Sequence, residues 1–250
     1  MRYSYQGIIE SLPRKKNSNS SWWVKLLIRK ISFPLTFMFI NMGFSANAVS
    51  IISIIVVLVG CVCYCIPGNG WLVSAVVLIN LWLVLDCVDG NIARCKKQKT
   101  VFGEFVDDIG GYYIESLVYL AISVFVFNNG GVLIGMQCHW IIVAGALSSI
   151  ANILSRLIYK DYGHYSVKAD RSMQEEHTVD VPNSLYYIRN RVSKELGISG
   201  VFMPLIIVCA MCNAYDLLTI FYLLFNGFAL LSTTVIYIYK ADKYDRENKL

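Results

Sequence analysis

Residues 81–111 read LWLVLDCVDGNIARCKKQKTVFGEFVDDIGG, a run in which carboxylates interrupt apolar segments. Asp86 and Asp89 follow Leu81-Trp82-Leu83-Val84-Leu85, and Asp107 and Asp108 lead into 112–127, where Glu115 is the only charge. Ionisable groups at membrane depth are costly, so by default they mark a functional site. On a helix, Asp86, Asp89, Gly90 and Ala93 fall at i, i+3, i+4 and i+7, and Gly103, Asp107 and Gly111 form a second stripe. Two antiparallel helices joined by a short basic loop can bring Asp86, Asp89 and Asp107 around one point. An oxygen-only ligand set suits Mg²⁺ or Mn²⁺ and not Zn²⁺, because no His joins the stripe and Cys87 points elsewhere.

The flanking sequence supports a membrane setting. Of 250 residues, 56% are hydrophobic and 16% charged, against the ~25% charge usual for a soluble domain. Six apolar runs are expected to span a bilayer as helices: 46–66, 71–93, 104–127, 132–158, 197–213 and 216–238. The fold class expected is all-α, an integral membrane six-helix bundle. All 22 Lys and Arg residues precede the first run, sit between the second and third, lie between the end of the fourth and the fifth, or occupy the tail. The opposite loops 67–70, 128–131 and 213–216 carry none. By the positive-inside rule both termini are cytoplasmic, most simply at the cell membrane. The net charge of +5 is therefore a topology signal, and nucleic-acid binding is not expected. Met1–Tyr5 has no apolar run behind it, so no cleaved leader is expected.

Three regions follow: a polar start and amphipathic helix (1–33), a six-span membrane domain (34–240) and a polar tail (241–250). Within 20–31, Trp22, Trp23, Leu26, Leu27 and Ile31 fall on one face and Lys25, Arg29 and Lys30 on the other, a pattern suited to the cytoplasmic interface. The linker 159–196 is polar, and Asn183 is placed to cap a short helix carrying Leu185, Ile188, Val192 and Leu196 on one face. The Cys209/Cys212 pair lies inside a predicted span, which favours packing over metal or redox chemistry.

A divalent ion beside Arg94 and the basic loop Lys96, Lys97 and Lys99 is built for a phosphate or diphosphate. The string D-x2-D-G-x2-A-R-x8-G-x3-D-x3-D, matched at Asp86, Asp89, Gly90, Ala93, Arg94, Gly103 and Asp107, resembles the signature of the CDP-alcohol phosphotransferases. Ser45-Ala46-Asn47-Ala48-Val49-Ser50 is similar to that family's Thr-Pro-Asn-x-x-Thr segment at Asn47. The resemblance implies a homodimeric membrane transferase in phospholipid or related lipid or polysaccharide biosynthesis. Such an enzyme moves a phosphatidyl or substituted phosphate group from a CDP-linked donor, often CDP-diacylglycerol, to a hydroxyl acceptor with release of CMP. It further implies Asp86, Asp89 and Asp107 as metal ligands, with Asn47, Gly90, Ala93, Arg94 and Gly103 at the CDP pocket. The family's last aspartate, a second-metal ligand and base, falls on Gly111.

Glu104, one turn shallower than Asp107, is the first replacement carboxylate and Asp108 the second. Glu115 lies one turn deeper on the Gly111 stripe. The linker offers Asp161, His164, Asp170 and His177. The acceptor's hydroxyl is otherwise ionised already, or the protein binds CDP-alcohols without turnover. Arg156, Lys160, Arg189 and Arg191 either hold an acceptor phosphate or serve as cytoplasmic anchors. His139 has no catalytic role in this reading. A cation-coupled transporter ranks third, because the carboxylates gather at one end of their helices and not at the midplane.

Overall fold

The computed structural model describes residues 3–13, 17–18, 20–97, 100–172 and 191–248. These form helices with no strand among the described residues. A short helix α1 (Tyr5–Glu10) precedes α2 (22–41), which combines a π-helical turn at Val24–Ile28 with the α-helical Arg29–Asn41. The spans are α3 (Ala46–Cys65), α4 (Asn69–Cys95), α5 (Val101–Asn129), α6 (His139–Ser172), α7 (Arg191–Cys212) and α8 (Tyr215–Asn248). All six are long and apolar enough to cross a membrane, so the chain is an all-α, six-span membrane protein.

Local chemistry starts the helices where the sequence allows. Ser45 Oγ accepts from the Ala48 amide at the start of α3, and Thr100 Oγ1 accepts from the Gly103 amide at the start of α5. α3 packs against both α4 and α5, whereas α4 and α5 barely touch one another. The carboxylate helices are thus held apart on a shared support, and a cavity opens between them. α6 packs on α5 and α8, completing a second layer.

Two expected elements differ. The fourth span was read from 132, but residues 130–138 form a loop and α6 starts at His139. Gly130 (φ 71°) and Gln137 (φ 61°) take left-handed conformations there. The carboxylate of buried Asp216 accepts from the Leu133 and Ile134 amides at 2.6 and 3.0 Å. Apolar composition at Val132, Leu133 and Ile134 imitated a span because composition does not report where backbone amides are satisfied.

The fifth span is also longer than read, beginning by Arg191, and it is broken. Gly200 is non-helical (φ −106°, ψ −117°) between the turn ending at Leu196 and the α-helical Met203–Cys212. The freed carbonyls find partners: Tyr222 Oη donates to Leu196 O at 2.8 Å and Ser21 Oγ to Ser199 O at 2.5 Å. Irregular backbone at membrane depth persists where such partners exist. Asn183, Leu185, Ile188, Arg189 and His177 lie outside the described residues.

α2 runs through position 33/34 to Asn41 instead of ending near Ile31. Trp22, Leu26, Leu27 and Ile31 are exposed on the face expected to meet lipid, whereas Trp23 of that expected face is half-buried against the core, and Val24, Ile28, Ser32, Thr36 and Ile40 are buried against the body. Arg29 departs from the expected polar face. It is only 8% exposed and donates to Asn17 Oδ1 at 2.8 Å. Burial pushes its guanidinium below the usual range. The eight cysteines are free thiols, with Cys209 buried and Cys212 exposed.

Candidate active site

The basic-side ends of α3, α4 and α5 enclose a cavity of about 560 Å³. Asp86, Asp89 and Asp107 line it together with Asn47, Gly90, Ala93, Arg94, Lys97, Gly103 and Glu104. The residues that the family resemblance assigned to metal or nucleotide therefore border one space; of the basic loop, Lys97 joins them, Lys96 Nζ donates to Phe44 O at 2.9 Å, and Lys99 lies outside the described residues. Among the described residues no three His, Cys, Asp or Glu side chains stand in a closed metal-ligating arrangement. The aspartates surround the cavity without clasping a point in it. Their donor set, carboxylate oxygen only, fits a hard divalent cation.

Each position has a local cause. Asp89 is 6% exposed and its Oδ2 accepts from Ser50 Oγ on α3 at 2.5 Å, which satisfies a charge buried between helices. Gly103 lets two side chains approach closely: a Cβ there stands 2.9 Å from Asn47 Oδ1 and 3.0 Å from Thr100 Oγ1. The Asn47 carboxamide is thereby wedged against the first turn of α5. Arg94 folds back over Gly90, where a Cβ meets Nη1 at 3.3 Å, and Nη2 donates to Asn91 Oδ1 at 2.5 Å. Asn91 Nδ2 in turn donates to Thr36 Oγ1 at 3.0 Å. A chain of hydrogen bonds thus runs from α2 to the guanidinium that faces the cavity.

A second cavity of about 520 Å³ lies between α4, α5, α6, α7 and α8. Asp86 and Asp107 line it as well, so this pair stands where the two spaces meet. Its other polar walls include Glu115, Asn152, Arg156, Lys194, Asn226 and Thr233. Gly111 is part of the same wall, and a Cβ on it overlaps Arg156 Nη1. Arg156 Nη1 donates to Glu115 Oε1 at 2.9 Å and Nη2 to Asp108 Oδ1 at 3.2 Å. Lys160 Nζ pairs with Asp108 Oδ2 at 2.6 Å, and Cζ of Arg156 lies 4.6 Å from the Tyr112 ring centre. Glu115 Oε2 is buried with no hydrogen-bond partner among the described residues.

The two expected replacement carboxylates part company. Glu104 stays on the wall of the first cavity with Asp107. Asp108 is absent from both walls and is held by Arg156 and Lys160, as its ~100° offset from Asp107 on a helix dictates. Of the linker residues, Asp161 and His164 are exposed, Asp170 lies in a helix whose side chains are described only to Tyr165, and His177 is outside the described residues. Arg191 is exposed and borders neither cavity. His139 opens α6, beside Phe127 at 5.3 Å between ring centres. Ser50 and Asn91 gave no separate sequence signal, though Ser50 ends the segment that carries Asn47. Arg156 stood out only as a cation, because nothing local relates it to Gly111.

Comparison with known proteins gives one family. The model described as CDP-alcohol phosphatidyltransferase matches residues 44–212. No curated protein matches the sequence.

Proposed function

We propose, from the premise that this chain belongs to the CDP-alcohol phosphatidyltransferase family, that the two cavities meeting at Asp86 and Asp107 are its donor and acceptor sites. That junction is the observation on which the reading rests. The first cavity takes the cytidine diphosphate part of the donor, against Asn47, Arg94 and Lys97. The second takes the hydroxyl acceptor. The Lys- and Arg-free loops between α3 and α4, α5 and α6, and α7 and α8 support a cytoplasmic location for both termini and for the donor mouth.

The acceptor oxygen attacks the donor phosphorus that carries the alcohol group. A new P–O bond forms while the bond from that phosphorus to the bridging oxygen breaks, and its electron pair leaves on CMP. Asp86, Asp89 and Asp107 would hold Mg²⁺ or Mn²⁺, which would supply Lewis acidity to the phosphates. Arg94, positioned by Asn91, offsets charge on the diphosphate. Glu115 is the carboxylate besides Asp86 and Asp107 that borders the acceptor space, and it accepts the hydroxyl proton. Glu104 faces the donor side and serves binding there.

Purified protein in lipid is expected to release CMP from a CDP-alcohol only when Mg²⁺ or Mn²⁺ and an acceptor are present. CMP release that persists in Asp86→Asn, or no release across a panel of donors and acceptors by folded protein, overturns the reading. A binding protein without turnover is the alternative, favoured by the engagement of Glu115 with Arg156. It predicts metal-dependent stabilisation by CDP with no CMP produced.

A further inference from the structure

Arg156 is the residue whose placement neither the metal nor the nucleotide assignment uses. Asp107, Gly111 and Glu115 follow at i, i+4 and i+8 on α5, so all three share one face. The middle position has no side chain. In its place lies a guanidinium from α6: the Cβ position of Gly111 overlaps Arg156 Nη1 and is 2.9 Å from Nη2 and 3.0 Å from Cζ. The cation fills the side-chain space one turn from a metal-assigned aspartate.

That guanidinium is held and not merely parked. Asp108, Gly111, Tyr112 and Glu115 form a cradle on α5 at spacings of three and four residues. Glu115 Oε1 and Asp108 Oδ1 take the two ends of the fork at 2.9 and 3.2 Å, and the Tyr112 ring lies beneath its plane. A planar fork bound at both ends loses little further freedom when it meets a phosphate. Arg156 and Glu115 share the wall of the acceptor cavity with Asp86 and Asp107.

Phosphoryl-transfer centres often use two cations about 4 Å apart, one beside the attacking oxygen and one beside the leaving oxygen. The geometry points to a different division of charge here: Asp86, Asp89 and Asp107 hold a single divalent cation, and the Arg156 guanidinium supplies the second positive charge from the acceptor side. A second divalent ion at the Gly111 face would meet a fixed like charge in a space already filled, with no carboxylate at Gly111 to hold it. During transfer the charge gathers on the non-bridging oxygens of the phosphorus, and an arginine at that point stabilises it without giving up a proton. The bonds made and broken are those of the transfer described above.

The inference rests on the transferase reading, and counting bound metal separates the two. Full-length protein in lipid, titrated with Mn²⁺ and measured by electron paramagnetic resonance and elemental analysis, is expected to bind one Mn²⁺ per chain with no spin-coupled pair. Two Mn²⁺ per chain overturn the inference and leave the transferase reading intact. No bound Mn²⁺ overturns both. Arg156→Gln is expected to keep the single Mn²⁺ while kcat for CMP release falls at least ~100-fold, and Arg156→Lys is expected to fall between. A variant with undiminished kcat shows that the guanidinium carries no charge role and overturns the inference. If Arg156→Gln does not fold, the wild-type metal count decides alone.

Discussion

The cavity proposed for the donor and the one proposed for the acceptor share Asp86 and Asp107 but are walled in different ways. The donor side is built from three consecutive helices and the turn between α4 and α5, with contacts such as Ser50 to Asp89 and Asn91 to Arg94 holding single charges in place. The acceptor side draws on five helices from Trp82 to Tyr237, and two charges on its wall, Glu115 and Arg156, belong to a connected set with Asp108 and Lys160 behind it. Such a network is coupled, since removing one member takes ion-pair partners from the others, most at Glu115 and Arg156, whose side chains are 22% and 23% exposed, and least at Asp108, which is 44% exposed. The donor side is expected to respond to substitution residue by residue, and the acceptor side as a unit.

The largest effect belongs to the residues that both cavities share. Asp86→Asn is expected to drop CMP release below about one-thousandth of wild type, since it removes charge from the proposed metal site and from the junction together. Steady-state assays at saturating Mg²⁺ measure this. Next comes the acceptor side alone. Glu115→Gln preserves the hydrogen bond to Arg156 but removes the proton acceptor, so kcat is expected to fall about 100-fold or more. Thermal stabilisation by CDP with Mn²⁺ is expected to be unchanged. If that stabilisation disappears with kcat, the two cavities are not separable and the contrast between them fails. On the donor side, Gly103→Ala pushes the Asn47 carboxamide away by the overlap described and is expected to raise the donor KM about tenfold with little change in kcat.

This contrast also explains what was legible in the chain. Asp86, Asp89, Gly90, Ala93, Arg94, Gly103 and Asp107 lie within 22 positions, so helical periodicity placed all but Arg94 on two stripes, and the resemblance to the family signature added Arg94. The six spans and their bias of Lys and Arg followed from composition. Three features did not. The separation of α4 and α5 on α3 depends on helix packing, which no local pattern reports. Arg156 meets Gly111 across 45 positions of sequence, and a glycine leaves no mark of what fills the space beside it. The break in α7 was hidden because its carbonyls are satisfied by Ser21 and Tyr222, side chains far away in the chain. Glu104 and Asp108 were read by proximity to Asp107, and proximity along a helix does not say that Glu104 borders a cavity and Asp108 borders neither.

The smallest effect tests whether the donor side is as local as it looks. Asn91 accepts from Arg94 Nη2 and donates to Thr36 and, at 3.4 Å, to Ser32, so one buried carboxamide ties the cavity's guanidinium to α2. α2 is also the helix whose exposed Trp22, Leu26 and Ile31 face outward, toward the expected headgroup zone. Asn91→Ala frees Arg94 without touching the aspartates. A hydrogen bond to a charged group is worth about 1.5–3 kcal/mol, part of which water restores. The donor KM is therefore expected to rise about three- to tenfold with kcat and Mn²⁺ binding preserved. Thr36→Val leaves Asn91 in contact with Arg94 and is expected to give a smaller shift in the same direction. Should Thr36→Val match Asn91→Ala in full, α2 sets the guanidinium's position, and a surface helix then governs a pocket that it does not itself line.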